Sequence, residues 1–282
     1  MKEALEALVG PVDRLTPVLR GYTPAQRCVV SLSDGGSVFA KRAVDGVTAD
    51  WLRKEHEMYQ VLSGLRIAPE LIGWIEGDLP VLVLEDLSEA VWPPPWDRAQ
   101  IESARAILAA VGNVVPPDGL PTFADSEEPN EGWDSVLASP GQFLALGLCD
   151  ANWLDRVGPD LQAASAAAPL TGSSLLHNDV RSDNLCIHRG SALLIDWNLA
   201  CIGNPQSDVA FWIPSLAQEC DTSPEDLMPE CPAELVSYVA GFFASRAGQP
   251  DIPHAPLVRR VQLQQLRVAL PWAVRALGAG SP

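Results

Sequence analysis

Asp179, Asn184 and Asp196 fall within one stretch, LLHNDVRSDNLCIHRGSALLIDWN (175–198), and all three carry hard oxygen donors. The apolar runs LCIH and ALLI, separated by Arg189-Gly190-Ser191, read as a β-hairpin. Asp179 and Asn184 lie in the loop before it, and Asp196 ends its second strand. A hairpin brings its two ends together, so the three side chains can converge on one point. Two carboxylates and an amide oxygen suit Mg²⁺ bound together with substrate phosphates. They suit zinc poorly, because His and Cys donors are missing from the spacing.

The elements that must position this cluster are also legible. RCVVSLSDGGSVFAKRA (27–43) reads as two strands joined by a Ser33–Gly36 turn, with a third strand before them near Thr16–Arg20. Ala49–Leu65 has helical spacing, and Leu71–Ile75 and Val81–Leu84 read as two more strands. MKEALEALVG reads as a short amphipathic helix. After the breaker segment VWPPPWD (91–97) the composition turns helical, with Ala-rich stretches at 99–111 and 151–168. Residues 205–278 are helical in pattern, interrupted by CDTSPEDLMPEC and GQPDIPHAP, and Pro271 is expected to end or kink the last helix.

The chain has 282 residues, 47% of them apolar, which is enough for one large domain or two lobes with a core. No apolar run is long enough to span a membrane, and no secretion signal is read at the start, so a cytoplasmic protein is expected. The six scattered cysteines form no CxxC and read as reduced thiols rather than a metal site. A net charge of −17 argues against nucleic acid as a partner, since phosphate binding needs Lys and Arg. The surplus is uneven: residues 91–170 hold three basic and eleven acidic residues. That stretch reads either as a solvated surface or as a seat for a cationic ligand.

The pattern His177-x-Asp179, four residues, Asn184, a hairpin, then Asp196 has the spacing of the kinase catalytic loop and its metal-binding Asp. The chain resembles the protein-kinase-like fold and, more narrowly, the aminoglycoside phosphotransferase family. The hallmarks are HNDVRSDN, LLIDWN and GNPQSDVAFW, and the resemblance covers nearly the whole chain. Many relatives carry Gly at the position of Asn178. The resemblance implies an α+β, bilobal fold, with a small β-rich nucleotide-binding lobe (1–88) and a larger helical catalytic and substrate-binding lobe (89–282).

It also implies roles. Lys41 steadies the α and β phosphates of ATP and is fixed by Glu55; Glu57, the competing partner, lies about 200° around the helix. Leu84 stands behind the adenine, and the Glu85 carbonyl and Leu87 N–H pair with the base. Asn184 and Asp196 hold Mg²⁺. Asp179 orients the acceptor hydroxyl and takes its proton, and Arg181 either offsets charge on the γ-phosphate or pairs with Asp183. His177 and Asp208 are buried braces of the loop. No GxGxxG lies in the first ninety residues, so RGYTPAQR (20–27), with Gly21 its only glycine, is the loop that covers the nucleotide.

Only ten residues separate Trp197 from Asp208, too few for a peptide-docking segment, which points to a small-molecule acceptor. Members and relatives of the family resembled act on aminoglycosides, choline, homoserine, methylthioribose, fructosamines and tuberactinomycin-type peptides. The acidic stretch favours a cationic acceptor and so an antibiotic-resistance kinase. A metabolic small-molecule kinase and a non-catalytic ligand-binding pseudokinase are the alternatives. Oligomeric state and the choice between ATP and GTP stay open.

Overall fold

The computed structural model describes residues 2–19, 21, 24–125, 132–252, 255 and 257–280 and is of the α+β class. The first elements are α1 (Lys2–Val9), β1 (Val12–Pro17), β2 (Gln26–Leu32), β3 (Ser37–Arg42), α2 (Gly46–Leu62), β4 (Leu71–Ile75), β5 (Val81–Glu85) and α3 (Arg98–Val111). They are followed by α4 (Gly132–Ala138), α5 (Gly141–Leu144), α6 (Ala151–Ala166), β6 (Ser174–Leu176), β7 (Leu185–His188), β8 (Ser191–Leu194) and β9 (Cys201–Gly203). The chain closes with α7 (Gln206–Cys220), α8 (Pro224–Leu227), α9 (Ala233–Ala247) and α10 (Val258–Ala276). Two compact units result: residues 1–93, 97–110 and 182–200 form one, and 94–96, 111–181 and 201–282 form the other.

In the first unit a five-stranded antiparallel sheet has the order β1-β2-β3-β5-β4. Strand alternation sends Cys28, Val30, Val38, Ala40, Val81 and Val83 to one face, where Leu5 of α1 and Val12 complete a core. β1 therefore starts at Val12, which fills that core, rather than near Thr16. Lys41 points to the other face, toward α2. That helix starts at Gly46, three residues before the expected Ala49, because Asp45 caps it. The Asp45 carboxylate accepts from Thr48 N at 2.8 Å, and the Thr48 hydroxyl accepts from Asp45 N at 3.1 Å. Its inner stripe of Leu52, Glu55, Met58, Tyr59 and Leu62 is buried.

The β7–β8 hairpin belongs to this unit. Its two-residue turn, Arg189–Gly190, has both φ positive (49° and 81°), the conformation that matches the twist of the flanking strands. Val91 and Ile187 exchange two backbone hydrogen bonds of 2.9 and 2.8 Å, and Leu194 N donates to Ile67 O at 2.9 Å. The hairpin is thereby tied at both strands to the segments flanking the sheet.

The second unit is built around α9, which packs against α4, α6, α7 and α10. The α4–α9 approach is close: a Cβ at Gly241 would come within 2.8 Å of the Trp133 ring. Trp133 Nε1 donates to Ser237 O at 2.9 Å, and Ser237 Oγ donates to Leu161 O at 2.8 Å. Both polar groups in this apolar layer are thus satisfied. β6 and β9 pair antiparallel beside it. Pro271 does not end the last helix: α10 runs on to Ala276. Leu270, Trp272, Ala273 and Val274 are buried around it, and that packing outweighs the hydrogen bond lost at proline.

Candidate active site

In the first unit Lys41 reaches two carboxylates. Its Nζ lies 2.6 Å from Glu55 Oε2 and 2.6 Å from Asp196 Oδ1. Lys41 is only 6% exposed and Glu55 1%, whereas Glu57 faces solvent, so the helix phase selects Glu55. Burying an unpaired ammonium costs several kcal/mol, roughly, so this lysine is stable here only with its partners. Burial alone pulls its pKa down; the two carboxylates outweigh that and raise it, keeping the amine charged. Burial pushes Glu55 up to about 7, against the pull of Lys41 and with a further push from Asp196. One ammonium between two carboxylates leaves the deeper carboxyl the easier one to protonate.

Asp196 follows β8 in a left-handed conformation (φ 63°). Ile195 N donates to Asn184 O at 2.9 Å, and Trp197 Nε1 donates to Leu194 O at 3.0 Å. The hairpin thus brings the backbone at Asn184 beside that preceding Asp196. Asn184 is buried at the close of a 3₁₀ turn, Ser182–Asn184. An amide oxygen and a carboxylate are a fitting donor pair for Mg²⁺. Among the described residues no three His, Cys, Asp or Glu side chains cluster as a metal site.

At the end of β5 Leu84 is buried. Glu85 N donates to Glu70 O at 2.9 Å, and Ala90 N donates to Leu87 O at 3.0 Å. The Glu85 carboxylate links this segment to the hairpin, with Oε1 lying 3.2 Å from His188 Nε2 and 3.3 Å from Arg189 NH1. Asp86 accepts from Ser37 Oγ at 2.6 Å and from Ser88 N at 2.9 Å, fixing the turn between Glu85 and Leu87.

In the second unit Asp208, 5% exposed, clamps the loop that carries Asp179. Its two carboxylate oxygens accept from His177 N at 2.7 Å and Asn178 N at 2.8 Å. Burial raises its pKa, and His177 and Asn178 hold the rise down. His177 is fully buried, and its Nδ1 accepts from Asp179 N at 3.2 Å, which places the ring proton on Nε2. Arg181 NH2 lies 3.4 Å from Asp179 Oδ2.

Asn178 has φ 63°, the left-handed region that asparagine tolerates better than other non-glycine residues. The N–H groups before and after it are both bonded, to Asp208 and to the His177 ring, so the bend is imposed from both sides. Asn178→Val is expected to cost about 1–2 kcal/mol, while Asn178→Gly stays near neutral. Urea unfolding of the two variants checks this, and equal stability of the two would remove the strain argument.

Residues 14–226 match the phosphotransferase enzyme family (APH), three-quarters of the chain. The chain belongs to this family. It is an enzyme of the small-molecule kinase class. No curated protein sequence matches it. Among solved structures it is similar to choline kinase LicA from Streptococcus pneumoniae, at 13% identity and TM-score 0.62, covering 98% of this chain and 97% of the other. An ethanolamine kinase of Plasmodium vivax is similar at 13% identity and TM-score 0.56 (93% and 83% covered). An aminoglycoside phosphotransferase of Alicyclobacillus acidocaldarius is similar at 17% identity and TM-score 0.52 (97% and 94%). At these identities the likeness carries the protein-kinase-like fold, a five-stranded sheet with a helical C-terminal part.

Many acidic residues of this phosphotransferase have local partners. Asp150 caps α6 by accepting from Trp153 N, Asp226 bonds Ser223 at the start of α8, and Asp125 accepts from Thr122 Oγ1. Glu102 pairs with Arg98, Glu225 with Arg275, Asp134 accepts from Gln162, and Glu219 accepts from Trp96 Nε1 at 2.7 Å. Much of the surplus is therefore engaged locally. Glu127, Glu128 and Glu131 lie outside the described residues, as do positions 20, 22 and 23 of the expected nucleotide-covering loop. No helix among the described residues is long and apolar enough to cross a membrane. All six cysteines are free thiols, and burial pushes Cys186 and Cys201 up to about 12, far from reactive.

Proposed function

We propose that this phosphotransferase moves the γ-phosphate of ATP to a hydroxyl of a small cationic acceptor, an aminoglycoside or a basic peptide antibiotic of the tuberactinomycin type. The cell would gain antibiotic resistance from this reaction, carried out in the cytoplasm. The nucleotide belongs to the lobe of residues 1–88 and the acceptor to that of residues 89–282. The observation that carries the reading is Lys41, a buried ammonium held between Glu55 and Asp196. Lys41, Glu55, Asp179, Asn184 and Asp196 fill every catalytic position that the family resemblance names, which counts against a pseudokinase.

The Glu85 carbonyl and the Leu87 N–H receive the adenine edge. Lys41, anchored by Glu55, meets the α and β phosphates. Asn184 and Asp196 would hold Mg²⁺, which neutralises charge on the phosphate oxygens. The acceptor oxygen attacks the γ-phosphorus, the bond from that phosphorus to the β–γ bridging oxygen breaks, and ADP leaves. The hydroxyl proton passes to an Asp179 carboxylate oxygen late in transfer. Arg181, already beside Asp179, offsets charge on the moving phosphoryl group. Because four residues of one loop separate Asp179 from Asn184, the base and the metal ligand share a single backbone path, braced on one side by Asp208.

The test is phosphate transfer from labelled ATP against aminoglycosides, tuberactinomycins, choline and homoserine. Polycationic antibiotics are expected to be turned over and homoserine not. Exposed ion pairs are screened within about 8 Å at physiological salt. Added salt should therefore raise KM for the acceptor more than KM for ATP. A neutral best acceptor with salt-independent KM would sink the cationic part, leaving the acidic stretch to the caps and pairs described above.

A further inference from the structure

We infer that Arg27 is a second phosphate-binding residue of the nucleotide site, acting beside Lys41 and standing in for the glycine-rich backbone that the covering loop lacks. This rests on the proposed ATP reading and adds a residue to it. Arg27 of β2 is the direct cross-strand partner of Lys41 of β3. Direct partners in an antiparallel pair point to the same face, with Cβ atoms about 4.5–5.5 Å apart. Val29 and Phe39, the next pair on that face, are half-buried and apolar, and Phe39 in turn pairs with Leu84.

The face is therefore graded. Its Leu84–Glu85 end is apolar and suits a base. Lys41 pairs with Leu82, three residues before Glu85, which is about 10 Å along the strand at about 3.3 Å per residue. That is the end toward which a nucleotide seated at Glu85 extends its phosphates, and both cations stand there.

The guanidinium is also fitted to the loop. Arg27 NH1 donates to Ala25 O at 3.0 Å. A Cβ at Gly21 would lie 2.9 Å from Arg27 Cζ, so a larger residue there would push the guanidinium aside, and the φ of +107° at Gly21 favours glycine. The charge is felt inside the site: burial raises the Glu55 carboxyl, and Arg27 is among the groups that oppose the rise. A fork of N–H donors in this place supplies what successive backbone N–H groups supply in a glycine-rich loop.

The test is calorimetric binding of adenosine, ADP and Mg·ATP to the wild type, Arg27→Gln and Arg27→Lys, with thermal unfolding to confirm that each variant is folded. Arg27→Gln is expected to weaken ADP and Mg·ATP about tenfold or more and to leave adenosine unchanged, with Arg27→Lys recovering part of the loss. Equal weakening of adenosine and Mg·ATP would reduce Arg27 to a loop brace and overturn the inference, as would unchanged binding of all three. A wild type that binds none of the three would overturn the ATP reading itself, a result separable from failure at Arg27 alone.

Discussion

Asp179→Asn is expected to lower kcat by about 10²–10⁴-fold, the usual contribution of a positioned base, with KM for ATP little changed. The exchange keeps shape and removes the proposed acceptor of the proton. The loop is held by other groups: Asp179 binds His177 through its backbone N–H, and the bend at Asn178 is fixed by Asp208. Arg181 lies 3.4 Å from the Asp179 carboxylate with both groups partly exposed, so loss of that pair is a small, solvent-screened term. Thermal stability should accordingly stay near that of the wild type. A fall in kcat with unchanged ATP affinity is the signature of an interaction made only in the transition state. Turnover within a factor of about three of wild type would overturn the assignment, since it lies far below that range.

The parts of the site that lie close in sequence are the parts legible in it. Asp179, Asn184 and Asp196 declare themselves through fixed spacing around a hairpin whose Arg-Gly turn is itself a local signal. Lys41 and Glu55 are far apart in sequence, but strand and helix phase separate Glu55 from Glu57 without any coordinates. Arg27 is not legible, because its relation to Lys41 exists only in the exact β2–β3 register, and a slip of one residue at the turn would give Lys41 another partner. Helices α4 and α5 escape a sequence reading for a different reason. They are short and carry glycine, so their helicity comes from packing, as of Trp133 and Phe143, and not from propensity. The acidic stretch is legible as charge and opaque as function. A carboxylate that caps a helix, as Asp150 does, and one that holds a ligand are the same letter in a sequence.

Asp196→Ala separates the proposed metal site from the fold, and it is expected to remove Mg²⁺-dependent ATP binding and activity together, the latter by at least about 10²-fold. The wild-type geometry explains why the variant should still fold. Lys41 has two carboxylates at 2.6 Å, and deleting Asp196 leaves Glu55 in place, so the buried ammonium keeps a partner. Burial pushes Glu55 up to about 7, and the Asp196 charge adds to that push. Without Asp196 the Glu55 carboxyl should ionise more readily, and the remaining ion pair should tighten rather than loosen. Titration of ATP with Mg²⁺ and with EDTA reads the difference. The wild type should bind more tightly with the metal, while the variant should bind with the same weak affinity in both, set by Lys41 and the Glu85–Leu87 backbone. Unchanged Mg·ATP affinity in Asp196→Ala would put the metal on other ligands. A variant that loses ATP equally with and without metal, at unchanged melting temperature, would instead make Asp196 a positioning group for Lys41.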